Sequence, residues 1–245
     1  MSRLLEVRDL SVRFGAIVAV DNVSFDLDRG AALGIVGESG SGKSVTCRAL
    51  MRLLPETANI VGSAMFEGSD LLKMPGRELD TLRGKRIAMI FQSPASHLDP
   101  LMRIGDQVAE TLRKHTDLKG SAMHREVLRL LEVVRIPEPA RWARAYPHQL
   151  SGGMKQRAVI AMALACGPRL VIADEPTTAL DVVVQDQILR EILKIQDLTH
   201  TGFVFISHDI AVVARVCRHI CVMYDGKIVE AGTREEVFQS PVHPY

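Results

Sequence analysis

The sequence predicts an α/β fold with a mixed, largely parallel sheet, an antiparallel β portion at the N-terminal end and an inserted helical subdomain. Apolar and polar residues alternate with period two over 4–14 and 20–27, as they do in half-buried strands. Short apolar segments such as 31–36 and 170–173 alternate with helical patterns, which is typical of parallel sheets. Residues 106–145 carry apolar side chains at helical spacing, interrupted by prolines, and this pattern indicates the helical insertion.

The remaining elements follow in order along the chain. We expect a helix over 43–54, a strand and turn over 62–72, a polar helix over 77–83, a strand over 87–91, helices over 154–165 and 185–198, and strands over 203–206, 220–224 and 227–229. A chain of 245 residues can form one large α/β domain or a core with a subdomain. We expect 1–92 and 158–245 to form the core, and 93–157 to form the helical subdomain.

Composition argues against nucleic-acid binding, a membrane span and secretion. The 30 Lys and Arg residues nearly balance the 29 Asp and Glu residues, so no basic stripe predicts a nucleic-acid partner. No apolar run approaches the roughly 20 residues that cross a bilayer, and the N-terminus does not resemble a secretory signal. We therefore expect a cytosolic chain that reaches a membrane only through a partner. The four cysteines, of which Cys217 and Cys221 could also suit a metal pair, are interpreted as buried free thiols.

Residues 37–44 read G-E-S-G-S-G-K-S and match the phosphate-binding pattern G-x-x-x-x-G-K-[ST] at every constrained position. The run lies between a predicted buried strand and a predicted helix, which is the context that the pattern requires. Its glycines allow successive N–H groups to converge beside a helix N-terminus. Lys43 is then expected to reach the β- and γ-phosphates, and the Ser44 hydroxyl to bind Mg²⁺. An ordinary Gly/Ser turn would not need this lysine and hydroxyl, so the sequence predicts a nucleoside triphosphate site.

Two carboxylates, Asp174 and Glu175, follow the apolar strand 170–173. Ligands of parallel sheets gather at the carboxyl ends of the strands, so both side chains are expected to face the phosphate loop. We expect Asp174 to hold Mg²⁺ and Glu175 to accept a proton from the attacking water. A solvated turn is the simpler alternative, but the phosphate loop elsewhere in the chain favours the catalytic interpretation.

Residues 150–157 read L-S-G-G-M-K-Q-R, a second helix start suited to an anion. On this run the sequence resembles the nucleotide-binding subunit of an ATP-binding cassette (ABC) transporter, whose signature reads L-S-G-G-Q or a close variant. Met154 departs from the last position of that signature. The fold implied by the resemblance is a P-loop NTPase cassette.

The resemblance implies roles for further residues. Gln92, at a strand end, and His208, in I-S-H-D, would order water, metal and γ-phosphate beside Glu175, the general base. Asp181, in the turn T-A-L-D, would contact the partner in a dimer. Mg²⁺ would be bound by Ser44, Gln92 and Asp174. Phe14 would stack on the adenine of ATP. The other residues that would bind ATP belong to the phosphate loop and the start of the helix after it: Gly37, Ser39, Gly40, Ser41, Gly42, Lys43, Ser44 and Val45.

The resemblance also implies a mechanism. Two cassettes, identical or paralogous, pack head to tail and close over two ATP molecules. Each ATP then lies between the phosphate loop of one chain and Ser151, Gly152 and Gly153 of the other. Because the γ-phosphate completes the second set of contacts, hydrolysis opens the dimer.

Finer similarity points to the peptide/nickel importer branch. The phrases F-Q-S-P at 91–94 and L-D-P at 98–100 resemble that branch, as does the H-P-Y run at 243–245, which there opens a C-terminal extension. The implied role is ATP-driven uptake of peptides or a related small solute, nickel included. The implied partners are separate permease subunits and, indirectly, an extracytoplasmic solute-binding protein, and the implied location is the cytoplasmic face of the inner membrane.

Other functions stay open at this stage. A soluble cassette ATPase of a repair or regulatory complex is the main alternative, although the interval between Gln92 and Ser151 has no room for the long coiled coil of repair ATPases. A kinase that uses the same loop is a weaker one. Leu98, Leu101 and Met102 are candidates for the permease contact, or equally for covering the core of the helical subdomain.

Overall fold

The structure is a computed structural model that describes residues 3–178 and 180–245, so Ala179 of the predicted T-A-L-D turn lies outside the described residues. The chain divides into two compact units, one formed by residues up to Asp80 together with His200–Tyr245, and the other by Thr81–Thr199.

The strands are β1 Arg3–Phe14, β2 Ile17–Asp28, β3 Ala32–Val36, β4 Ala58–Phe66, β5 Ser69–Asp70, β6 Ile87–Ile90, β7 Leu170–Asp174, β8 Gly202–Ser207, β9 His219–Tyr224 and β10 Lys227–Thr233. The helices are α1 Lys43–Leu50, α2 Gly76–Leu82, α3 Ile104–His115, α4 Gly120–Val133, α5 Pro139–Trp142, α6 Gly152–Leu164, α7 Val182–Thr199, α8 Ile210–Val216 and α9 Arg234–Gln239, with 3₁₀ turns at Pro94–His97 and Pro147–Gln149.

The first unit contains an antiparallel sheet in the order β2-β1-β4-β5. Its strands alternate buried and exposed side chains, as the sequence pattern predicts, with Leu5, Val7, Leu10 and Val12 of β1 all buried. The predicted antiparallel N-terminal portion is therefore confirmed.

The same unit contains the parallel strands that lead to the phosphate loop. β3 is buried along its whole length and pairs in parallel with β8 on one side and β9 on the other, while β10 pairs antiparallel with β9. A Cβ added to Gly34 of β3 would lie 1.9 Å from Cγ1 of Val213, so a glycine here lets α8 pack closely on the sheet.

In the second unit, β6 and β7 form a parallel pair whose register aligns Ile90 with Ala173. The chain therefore leaves both strands at the same edge, and this edge carries Gln92 and Glu175. Apolar faces of α3, α4 and α6 pack against one another in the same unit, in agreement with the helical pattern of 106–145.

Several element boundaries differ from the sequence expectation. The helix predicted over 43–54 ends at Leu50, because Arg52 adopts a left-handed backbone with φ of 48°. The short helices α8 and α9 were not predicted. Each begins at a side-chain cap, the first at Asp209 and the second at a capping box of Thr233 and Glu236.

The cysteines that the structure describes are free thiols, with Cys47, Cys217 and Cys221 buried and Cys166 half-buried. Burial raises the pKa of Cys221 to about 12 and that of Cys217 well above its usual range, so both thiols stay protonated. Over residues 3–178 and 180–245, no helix is both long and apolar enough to span a membrane.

Candidate functional site

The phosphate loop connects β3 to α1 in the first unit, and Lys43 is its central side chain. Lys43 is only 4% exposed, and its Nζ donates to the carbonyl oxygens of Gly37 at 2.7 Å and Glu38 at 2.6 Å. It also lies 3.3 Å from Oγ of Ser41. The loop thus wraps around the ammonium group and holds a positive charge where phosphates would bind.

Two glycines of the loop are required by close packing as well as by backbone conformation. A Cβ on Gly37 would lie 2.1 Å from the carbonyl oxygen of Met223, and one on Gly42 would lie 2.6 Å from that of Ala19. Gly42, with φ of 98°, is also the N-cap of α1 and supplies no side-chain cap. A glycine at the N-cap is compatible with an anion site at a helix N-terminus.

The turn between β9 and β10 forms hydrogen bonds with the phosphate loop. The Gly226 N–H donates to the carbonyl of Ser41 at 3.1 Å, and the Gly226 carbonyl accepts from the N–H of Asp21 at 2.8 Å. Asp21 also forms an ion pair of 3.3 Å with Lys227. These contacts join the loop, the β9–β10 turn and β2 in one hydrogen-bonded layer.

The other predicted residues of this unit vary in exposure. Ser39 and Gly40 are exposed, and Ser44 and Val45 are half-buried in the first turn of α1. His208 is exposed and directly follows β8, and it lines a cavity of about 250 Å³ together with Gly37. Phe14, half-buried at the end of β1, is not among the residues that line this cavity.

In the second unit, Gln92 and Glu175 are brought into direct contact. Nε2 of Gln92 donates to Oε2 of Glu175 at 3.0 Å, and Oγ1 of Thr178 donates to the same oxygen at 2.8 Å. Glu175 has φ of 47°, a left-handed conformation that costs of order 1–3 kcal/mol outside glycine and is concentrated at functional sites. The two donors fix the direction of this carboxylate.

The sequence predicts a functional role for Asp174 but not for Thr178. Asp174, the last residue of β7, is only 1% exposed, and its role as a Mg²⁺ ligand stays a prediction. The contact of Thr178 with Glu175 is not predictable from the sequence. Its bond to Glu175 forms three residues away in a turn, and a threonine in such a turn carries no signal of that contact.

The second predicted anion site begins at the N-terminus of α6. Ser151 is the N-cap, and its Oγ accepts the N–H of Met154 at 3.3 Å. A Cβ on Gly153 would lie 2.8 Å from Cγ1 of Val184, so packing within the unit requires a glycine there. Among the residues that the structure describes, a Cβ on the exposed Gly152 would meet only Leu180, at an ordinary contact distance of 4.0 Å. Packing against the described residues of this unit therefore does not require a glycine at position 152.

Asp181 is exposed and caps α7. Its Oδ1 accepts the N–H of Val184 at 3.0 Å, and its carbonyl accepts the N–H of Gln185 at 2.9 Å. These bonds account for an aspartate at this position within the chain. The dimer contact that the resemblance implies for Asp181 stays a prediction.

Comparison with known proteins identifies the relatives of this chain. The sequence profile of the family described as ABC transporter matches residues 20–178. The chain is 49% identical over 251 aligned positions to the oligopeptide transport ATP-binding protein OppD of Bacillus subtilis (strain 168), and the match covers 100% of this chain and 70% of that protein. It is 50% identical over 250 positions to the dipeptide transport ATP-binding protein DppD of Lactococcus lactis subsp. cremoris (strain MG1363), with 99% and 71% covered.

A solved structure supports the same relationship. The fold is similar to that of the ATP-binding cassette MJ0796, described as a dimeric post-hydrolysis state bound to ADP and Pi, with a TM-score of 0.83 at 28% identity. The match covers 94% of this chain and 98% of that chain. The predicted α/β cassette fold is therefore confirmed.

Proposed function

This chain belongs to the ABC transporter family, and we propose that it is the ATP-hydrolysing subunit of an importer for peptides or a related small solute, nickel included. The observation that carries the proposal is sequence similarity. About half of the aligned residues, over the full length of the chain, are identical to those of ATP-binding proteins of oligopeptide and dipeptide transport. That similarity favours transport over a repair or regulatory complex. The predicted core over 1–92 and 158–245, with 93–157 as helical subdomain, is part of the proposal.

The contacts of Glu175 support its role as general base. The oxygen of the attacking water forms a bond to the γ-phosphorus, the bond from that phosphorus to the β–γ bridging oxygen breaks, and Glu175 takes the proton that the water releases. Gln92 and Thr178 both donate to Oε2 and hold the carboxylate in one orientation for this transfer. Lys43 and the N–H groups of the loop bind the phosphates of ATP and of the ADP product.

The proposed metal ligands fit Mg²⁺ by their chemistry. Ser44, Gln92 and Asp174 offer a hydroxyl, an amide and a carboxylate oxygen, which are the hard donors that Mg²⁺ prefers. When bound, the ion would neutralise negative charge on the β- and γ-phosphates. The Asp174 carboxylate lies at the end of β7 and is almost completely buried.

Gly152 supports the head-to-tail dimer. Gly153 is explained by a close contact with Val184 in its own chain, whereas among the described residues a Cβ on Gly152 would make only an ordinary contact with Leu180, at 4.0 Å. A second cassette, identical or paralogous, would bring its ATP against the exposed backbone of Gly152 and against Ser151. His208 would contact the γ-phosphate from the chain that carries the phosphate loop, and Phe14 would stack on adenine.

Reconstitution with partners tests the transport role. In proteoliposomes that contain the permease and a second cassette, either identical or paralogous, the solute-binding protein loaded with a peptide is expected to raise the rate of ATP hydrolysis severalfold. Nickel replaces peptide in a parallel arm, and unloaded binding protein is the control. A hydrolysis rate that neither solute changes would contradict the importer assignment. As an importer subunit, the chain would lie at the cytoplasmic face of the inner membrane.

Among the candidate permease contacts, the structure separates Leu98 from Leu101. Leu98 is buried, at 4% exposed, and so the suggestion that it is available to a partner is wrong. Leu101 is 86% exposed and Met102 is half-buried. The buried Gln107 side chain bonds the N–H and carbonyl of Asp99 and the carbonyl of Met102, all at 2.9 Å, and fixes the loop that presents Leu101.

Leu101→Glu is expected to abolish stimulation of ATP hydrolysis by permease membranes while leaving the basal rate unchanged. An exposed leucine on a rigid loop contributes to a contact, and a charge there would have to be desolvated without a partner. Leu198→Glu is the matched control, because Leu198 is 83% exposed on α7 of the same unit. Equal stimulation of both variants would exclude Leu101 from the permease contact.

A further inference from the structure

In the first unit, residues 241–245 fold back onto β10 and form a segment that we call the strap. The N–H of Val242 lies 3.2 and 3.1 Å from the two carboxylate oxygens of Glu230, and the N–H of His243 donates to Oε2 at 3.0 Å. The N–H of Tyr245 donates to Nδ1 of His243 at 3.2 Å. One carboxylate thus binds two consecutive backbone donors, and such charge-assisted bonds are about twice as strong as neutral ones.

An aromatic contact adds to the polar one. The rings of Tyr245 and Tyr224 lie 4.8 Å apart between centroids and are tilted by 42°. Tyr224 is the last residue of β9, directly before the turn whose Gly226 donates to the carbonyl of Ser41 in the phosphate loop. The strap is therefore attached to the hairpin that supports that loop.

The strap and His208, the residue expected to contact the γ-phosphate, line the same cavity. Pro241, His243 and Tyr245 line the cavity of about 250 Å³ that His208 and Gly37 line as well. Glu230 lines it too, so one carboxylate both holds the strap and borders the space beside His208. The strap thus forms part of the wall of a cavity that His208 also borders.

We propose that Glu230 is a positioning residue for ATP hydrolysis, because by holding the strap on β10 it keeps the wall that restricts the position of His208. The proposal rests on the proposed function, in which His208 contacts the γ-phosphate. Without the carboxylate, the N–H groups of Val242 and His243 would lose their shared acceptor, and the strap would be held less firmly on β10. His208 would then occupy a wider range of positions, and small misplacements of a reacting or contacting group are costly in rate.

A purely structural role for Glu230 would have a different effect. It would lower the melting temperature and leave kcat unchanged in the folded enzyme, or it would change kcat by the same factor whether or not His208 is present. If Glu230 acts through His208, the losses in kcat from the two substitutions should not multiply. Once His208 is replaced by alanine, substitution of Glu230 has no imidazole left to displace.

The test is a double-mutant cycle on the full chain, assembled with its partner cassette. Glu230→Ala is expected to lower kcat about tenfold, with KM for ATP within about twofold, and to cause no further loss in a His208→Ala background. Glu230→Gln keeps one acceptor oxygen and is expected to fall between wild type and Glu230→Ala. Glu235→Ala is the matched control, since Glu235 is an exposed carboxylate of the adjacent α9 that pairs with Arg234, and its kcat should equal that of wild type.

A second variant attacks the same contact from the strap. Val242 is 88% exposed, so Val242→Pro removes one N–H donor without disturbing the core. It should reproduce the loss in kcat and its absence in the His208→Ala background. Wild-type kcat in both Glu230→Ala and Val242→Pro, or equal factors in the two backgrounds, would overturn the proposal. Absence of ATP hydrolysis by the unsubstituted assembly would overturn the proposed function itself, so the two failures are distinguishable.

Discussion

Glu175→Gln is expected to lower kcat for ATP hydrolysis about 10²–10³-fold while ATP still binds. Glutamine has the same shape and can still accept from Gln92 and Thr178, which donate at 3.0 and 2.8 Å in the structure. Its amide oxygen cannot act as the base that takes the water proton. Because the γ-phosphate is not removed, the ATP-bound dimer should persist.

Two measurements check this expectation. Phosphate release gives kcat, and size-exclusion chromatography with Mg²⁺ and ATP reports the dimer, with the partner cassette present in both. Glu132→Gln, the same change at an exposed glutamate of α4 in the same unit, is the control and should behave as wild type. Wild-type turnover by Glu175→Gln would remove Glu175 from the role of general base.

Lys43→Met is expected to weaken ATP binding about 10²-fold, since a hydrogen bond to a charged group contributes about 1.5–3 kcal/mol. Methionine keeps most of the apolar stem and removes the ammonium that the loop surrounds. The carbonyl oxygens of Gly37 and Glu38, which accept from Nζ at 2.7 and 2.6 Å, also lose their donor. The loop that would hold the phosphates is therefore weakened together with its charge.

Titration with a fluorescent ATP analogue measures this change in affinity. Lys73→Met is the control, because Lys73 lies in the same unit and its side chain is 76% exposed in an ion pair with Asp70. Thermal melting without nucleotide establishes that both variants are folded. Unchanged affinity in Lys43→Met would contradict the assignment of 37–44 as the phosphate loop.

Local features of the fold were predictable because their causes lie close together in the sequence. The alternation in β1 and β2 reflects the pleat of each strand, and the continuous apolar run of β3 reflects burial on both faces. The phosphate loop was predictable for the same reason, since its glycines, Lys43 and Ser44 occupy consecutive positions. The short helices α8 and α9 escaped prediction because each starts at a cap and has too few turns for a periodic pattern.

The sequence by itself determined the fold class, the family and the residue types of the site, because backbone preference and side-chain chemistry depend on near neighbours along the chain. Only the tertiary structure decided which of these residues touch. Strand register brings Gln92 to Glu175 across 83 positions, and the fold seats the strap on Glu230 more than ten residues away. It also buried Leu98 and exposed Leu101 within one short loop. Contacts of this kind depend on topology and packing, which no local pattern of residues encodes.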